Sequence, residues 1–203
     1  MIYELRTYNL TANSVPEVER RFAEKIEARV KVSPLIGFWH TDIGPLNQIV
    51  HLWGYESLQH RSDTRAKVIA DGIWPPDITE FAVSMESDIL APSPINDPLD
   101  GPREWGNLYE LRMYTYPSGA ISSVMKQFTE QAPKRLEISP GCFFASELGQ
   151  LNRFYQLWPY RDWDHRDELR KIYTQGIWPP HTDERPVQQL VRHMVPSSFS
   201  PLH

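Results

Sequence analysis

The chain has 203 residues, a formal net charge of −5 and a sequence pI near 5.8, with 40% hydrophobic and 23% charged residues. That balance excludes a broad basic surface for nucleic acid or anionic lipid, so neither is expected as a partner. One cysteine, Cys142, excludes an intrachain disulfide framework and a cysteine-rich zinc site. No apolar run approaches the roughly 20 residues of a membrane helix, and the chain enters a strand-like pattern at Ile2. The expectation is therefore a leaderless cytoplasmic protein without a membrane span.

Ile2 to Tyr8 alternates in character, as a strand with two distinct faces does. Ser14 and Glu17 have the spacing of a capping box, and Val18, Phe22, Ile26 and Val30 recur every fourth residue. Together they predict an amphipathic helix from about Val15 to Lys31. Gly37 to Ile43 reads as a strand, Gly44-Pro45 as a turn and Asn47 to Tyr55 as the returning strand. A helix is expected over 57–71 with Leu58, Val68 and Ile69 on its buried side, ended by Gly72 in a left-handed conformation. Trp74-Pro75-Pro76 leaves it, and a strand from about Phe81 to Leu90 closes the unit.

The whole pattern is then written again. Leu46-Asn47, Leu52-Trp53-Gly54-Tyr55, His60-Arg61, Arg65 and Gly72-Ile73-Trp74-Pro75-Pro76 return as Leu151-Asn152, Leu157-Trp158-Pro159-Tyr160, His165-Arg166, Arg170 and Gly176-Ile177-Trp178-Pro179-Pro180. Tyr3-Glu4-Leu5-Arg6 returns as Tyr109-Glu110-Leu111-Arg112. Pro133 should kink or shorten the second copy of the first helix, and a β-bulge is expected between Gly141 and Leu148. Each unit has the order strand–helix–strand–strand–helix–strand, the ferredoxin-like arrangement. The fold class is thus α+β, with units at 1–90 and 107–195, a Pro-rich linker at 91–106 and a tail at 196–203. The units are expected to close on each other as an internal pseudo-dimer in a barrel of facing sheets. Pairing across chains, or a further homodimer, is left open.

Tyr-Glu-Leu-Arg-x-Tyr opening a unit, followed by Gly-Phe-Trp-x-Thr-x-Ile-Gly-x-Leu-Asn and Val-His-Leu-Trp-x-Tyr, resembles the NIPSNAP family. The likeness runs from Ile2 to about Leu90 and, more loosely, from Asn107 to about Val195. It implies the dimeric α/β-barrel superfamily, whose members include small monooxygenases, isomerases and haem proteins. That breadth leaves function to the residues of the site.

The first strand has Tyr3 and Leu5 as its more apolar set, which the reading places under the helices. Glu4, Arg6 and Tyr8 then face the barrel interior, joined there by Asn47, Ile49, His51, Trp53 and Tyr55. Polar and aromatic groups converging on one face suit a small-molecule site between the sheets. Arg6 is expected to orient a substrate oxyanion, or else to pair with Glu4 and set the strand register. His51 is expected to transfer a proton, or else to be a satisfied interior histidine. The second unit has Gln156 in its place. Arg61 and Arg65, one helical turn apart, suit an anion or acidic neighbours. No cofactor is expected, and no metal, since His40, Asp42 and His51 lack ligand spacing. The competing reading is a non-catalytic interaction or scaffold protein.

Overall fold

The computed structural model describes residues 1–203. The first half contains β1 (Ile2–Leu10), α1 (Val15–Val30), β2 (Leu35–Ile43), β3 (Gln48–Tyr55), α2 (Leu58–Ala70) and β4 (Ala82–Pro92). The second repeats it as β5 (Leu108–Thr115), α3 (Ile121–Gln131), α4 (Pro133–Leu136), β6 (Cys142–Leu148), β7 (Arg153–Tyr160), α5 (Trp163–Tyr173) and β8 (Gln188–Pro196). Pro133, which has no N–H to donate, divides into α3 and α4 what is one helix in the first half. Ser14 starts α1, but its hydroxyl turns back to the Thr11 carbonyl at 2.7 Å, so the capping box does not form. Ser57 and Asp162 do cap their helices, accepting from the backbone N–H groups of His60 and His165.

The strands form one closed barrel in the order β1-β3-β2-β8-β5-β7-β6-β4. The outer strands of each half pair with those of the other, β2 with β8 and β4 with β6, so closure occurs within this chain. Both seams carry an irregularity. Thr41 pairs with Met194 and Ile43 with His193, stepping over Asp42; Leu90 pairs with Ser146 and Ile89 with Leu148, stepping over Glu147. The bulge expected before Leu148 therefore lies on the seam with β4, while the β6–β7 ladder runs regularly.

Strand alternation is legible, but the layers are the reverse of those expected. Tyr3, Leu5, Val50 and Leu52 point into the barrel and meet Leu111, Met113, Tyr155 and Leu157 from the other half. Glu4, Arg6, Tyr8, His51, Trp53 and Tyr55 point outward, under α1 and α2. Two sheets closing on each other make the drier compartment, so the more apolar set goes there. The packed interior retains a void of only about 10 Å³, at most the space of one water. The space expected between the sheets to hold a ligand is filled by these apolar side chains.

Asn47 is placed differently too. It turns β2 into β3 at φ +54°, with its carbonyl bonded to the Leu10 N–H at 2.8 Å, and Asn152 does the same in the second half at φ +57°. Asparagine tolerates this left-handed backbone better than other side-chain-bearing residues, which accounts for the repeated Leu-Asn. On α2, Val68 is buried with Thr64, whereas Leu58 and Ile69 are largely exposed, contrary to expectation. Gly72 and Gly176 end α2 and α5 at φ +66° and +99°.

Linker and tail are built into the fold. Leu99 and Leu202 join the barrel core, Trp105 packs against it, and Arg103 bridges to Leu202. They close one end of the barrel.

Candidate functional site

The polar residues expected to form a site do gather, on the outer face of the sheet. Glu4, with no exposed side-chain surface, accepts on Oε1 from Arg6 at 2.7 Å, Arg61 at 2.6 Å and Ser87 at 2.7 Å. Burial alone would push its carboxyl up; the Arg61 hydrogen bond, the Arg6 charge and Ser87 outweigh it and hold it at about 2. Arg6 also donates to the Tyr8 hydroxyl at 2.7 Å. The same design recurs at Glu110, which is bonded by Arg112, Arg166 and His193. Glu4 is thus an ionised anchor that fixes Arg6 and Arg61.

Beside this anchor lies a cavity of about 260 Å³ under α2 and the Trp74-Pro75-Pro76 segment. Arg6, Tyr8, Phe22, Trp74 and Met85 form part of its wall, and Arg65 reaches it from α2. Trp74 packs edge-on against Phe22 at 5.1 Å and Trp53 at 5.4 Å, so its ring is a rigid side of the chamber. Arg65, half-buried, makes no ion pair and no hydrogen bond through its guanidinium. In the sequence, Arg65 and the repeated Gly-Ile-Trp-Pro-Pro carried the signal for this cavity; Phe22, Ile78 and Met85 carried none.

His51 stands behind this wall. Tyr8 and Phe22 pack edge-on to it at 4.9 and 5.6 Å, and Phe38 stacks on it at 5.2 Å. Burial, with the Arg6 charge next, holds its pKa well below the ordinary histidine value, so the ring is neutral at neutral pH. Trp53 donates its indole N–H to His51 Nδ1 at 2.6 Å, which leaves the proton on Nε2, a buried atom with no partner. The proton-transfer role expected for His51 does not fit a ring that is neutral and shut off from the cavity. Trp53 and Tyr55 are likewise behind the wall: Arg29 lies over the Trp53 ring at 4.2 Å and donates to the Tyr55 hydroxyl at 2.9 Å. Of the expected ligand-facing residues, Arg6 and Tyr8 line the cavity; Glu4 holds Arg6 from beside it.

His40 sits opposite Ile49, and its Nδ1 is 2.9 Å from Glu19. No three His, Cys, Asp or Glu side chains are grouped to hold a metal ion. Cys142 is buried in the barrel, which pushes its thiol up to about 12. No helix is long and apolar enough to cross a membrane.

The sequence profile of the NIPSNAP family matches this chain twice, over residues 3–96 and 109–202. The chain belongs to the NIPSNAP family. Its relatives include a Dictyostelium discoideum NipSnap homolog, 30% identical over 87% of this chain and 78% of that one. Human NipSnap homolog 3A is 26% identical over 100% of this chain and 86% of that one. Among solved structures, a Fusobacterium nucleatum protein provisionally named a monooxygenase superposes with a TM-score of 0.68, covering 96% of this chain and 91% of its own. At 10% identity that likeness is one of fold alone. Both NIPSNAP matches reach into the linker or tail, consistent with Leu99 and Leu202 being core residues.

Proposed function

We propose that this NIPSNAP protein binds a small amphipathic carboxylate in the cavity of its first half. The observation that carries the reading is Arg65, a guanidinium without a carboxylate partner at the wall of a largely apolar chamber in which the other arginine, Arg6, is already paired with Glu4. Four arginines, Arg6, Arg29, Arg61 and Arg65, surround this region, and one buried carboxylate, Glu4, is there to balance them. An incoming carboxylate would restore the balance while its hydrocarbon part covers the aromatic wall. No side chain at the wall is a poised acid or base, so the residues support binding and orientation and assign no reaction.

The test is calorimetric titration of the purified protein with octanoate, and with octanol as the uncharged counterpart. Saturable octanoate binding is expected, weakened roughly tenfold or more in Arg65→Gln, since a hydrogen bond to a charged group contributes about 1.5–3 kcal/mol. Octanol should bind more weakly than octanoate to the parent protein. If octanoate does not saturate, or Arg65→Gln binds it unchanged, the reading is wrong and the scaffold alternative gains.

A further inference from the structure

The second half holds a cavity of its own, about 210 Å³, in the position related by the repeat. Its chemistry is different. Where the first cavity has Val68, Ile69 and Met85, the second has Tyr173, Thr174 and Gln189 at the matching places. Gln156 and Tyr160 also reach it.

The charges differ more. Arg112, Arg135 and Arg170 line this cavity, and no acidic side chain does. Arg112 is neutralised by Glu110 and bonded to the Tyr114 hydroxyl at 2.7 Å. Arg170, like Arg65, makes no ion pair and no guanidinium hydrogen bond. Arg135 is 1% exposed and has no carboxylate. Its guanidinium lies 4.2 Å from the centres of both the Trp158 and Tyr173 rings, Nη1 bonds Ser139, and Nε is buried without a partner. Glu110 cannot serve it, being already committed to Arg112, Arg166 and His193. In the first half the corresponding Arg29 is held the same way, over the Trp53 ring, bonded to Ser33 and Tyr55 and with its Nε also unpartnered, but it does not line the cavity, whereas Arg135 does. Arg135 and Arg170, neither with a counter-charge, thus line one small chamber, and for the fully buried Arg135 the missing partner is costly.

We infer that the second-half cavity is a separate site for a small compound bearing two negative charges, the chemistry shared by a phosphomonoester and a dicarboxylate. Arg135 and Arg170 balance the two charges, Gln156 and Gln189 offer further donors, and Phe128 and Trp178 take the rest of the ligand. This inference stands independently of the octanoate reading, because the two cavities share no residue.

The two sources are separated by phenyl phosphate and phthalate, with benzoate as the singly charged control. Each is titrated at pH 7.5 into the full chain, into Arg170→Gln and into Arg65→Gln, by calorimetry and by shifts of the tryptophan indole N–H signals in NMR. At least one dianion should bind saturably and more tightly than benzoate, and should weaken roughly tenfold or more in Arg170→Gln. Arg65→Gln should leave that affinity unchanged. The shifted indole signals should include those lost in Trp158→Phe or Trp178→Phe. If neither dianion saturates, if benzoate binds as tightly, or if Arg170→Gln binds as the parent does, the inference is overturned. A failure of octanoate alone would sink only the first-cavity reading.

Discussion

The indole N–H of Trp53 meets Nδ1 of His51 at 2.6 Å, and the matching indole of Trp158 meets Oε1 of Gln156 at 3.2 Å. Histidine and glutamine thus do the same job in the two halves, each presenting an acceptor to a buried tryptophan. His51→Gln should therefore cost less than about 1 kcal/mol and leave octanoate affinity unchanged. His51→Ala should cost about 3 kcal/mol, since it opens a cavity and strands a buried donor. Denaturant unfolding of the two variants checks the contrast. A large loss of ligand affinity in His51→Gln with intact stability would restore a direct role for the ring.

The same histidine sets part of the pH profile. Its folded pKa lies below the unfolded value of 6.5, so it favours folding above pH 6.5 and loses that contribution as pH falls. His40 has the opposite sign: the Glu19 hydrogen bond raises its pKa, and its contribution is lost as pH rises above 6.5. His51→Gln should flatten the fall in stability just below pH 6.5 and leave the alkaline side alone. Melting temperatures measured from pH 5 to 8 test this. An unchanged acid slope in the variant would show that His51 is not its source.

Glu4 acts lower on the scale. Its carboxyl is held at about 2 against an unfolded value of 4.5, so its contribution is complete above pH 4.5 and disappears as pH falls through about 2. Glu4→Gln should destabilise the protein by about 3 kcal/mol at neutral pH, because Arg6 and Arg61 lose their shared counter-ion. The difference from the parent should shrink as the parent is taken toward pH 2. A constant difference across that range would mean that the glutamate acts through shape alone.

Gly37 lies near the start of β2 and Gly141 just before β6, and each leaves room for a tryptophan, one inside the barrel and one on its outer face. A Cβ on Gly37 would lie 2.1 Å from the Trp39 ring, and one on Gly141 would lie 2.3 Å from Trp158. Both rings are fully buried, so neither can swing away. Gly37→Ala and Gly141→Ala should each cost at least about 2 kcal/mol, well above an ordinary surface change. A loss below half of that by thermal unfolding would show that the rings have space to move.

Leu202 is 1% exposed at the closed end of the barrel. Leu202→Ala should cost about 3 kcal/mol, as measured in denaturant. A near-neutral result would mean that this end of the barrel relaxes to fill the gap.

The sequence displayed the repeat, the element order and the fold, because glycines, prolines and period-two alternation mark boundaries directly. It displayed the two faces of β1 as well, separating Tyr3 and Leu5 from Glu4 and Arg6. Which face was inner it could not display, since both are buried and alternation carries no label for the layer beyond. The error carried His51 and Trp53 into the wrong compartment. Arg6 and Tyr8 still belong to a cavity because a polar cluster needs room whichever layer contains it. Arg65 was visible as a helical partner of Arg61; that only one of the two would find Glu4 depended on how α2 docks.

A barrel assembled from two identical chains alters both of its pockets with every substitution. Here the seams β2–β8 and β4–β6 join halves encoded once each. One exchange, such as Met85 against Gln189, therefore changes a single chamber and leaves its counterpart intact. Joining the halves in one chain frees them to diverge, and the two chambers have done so in their linings.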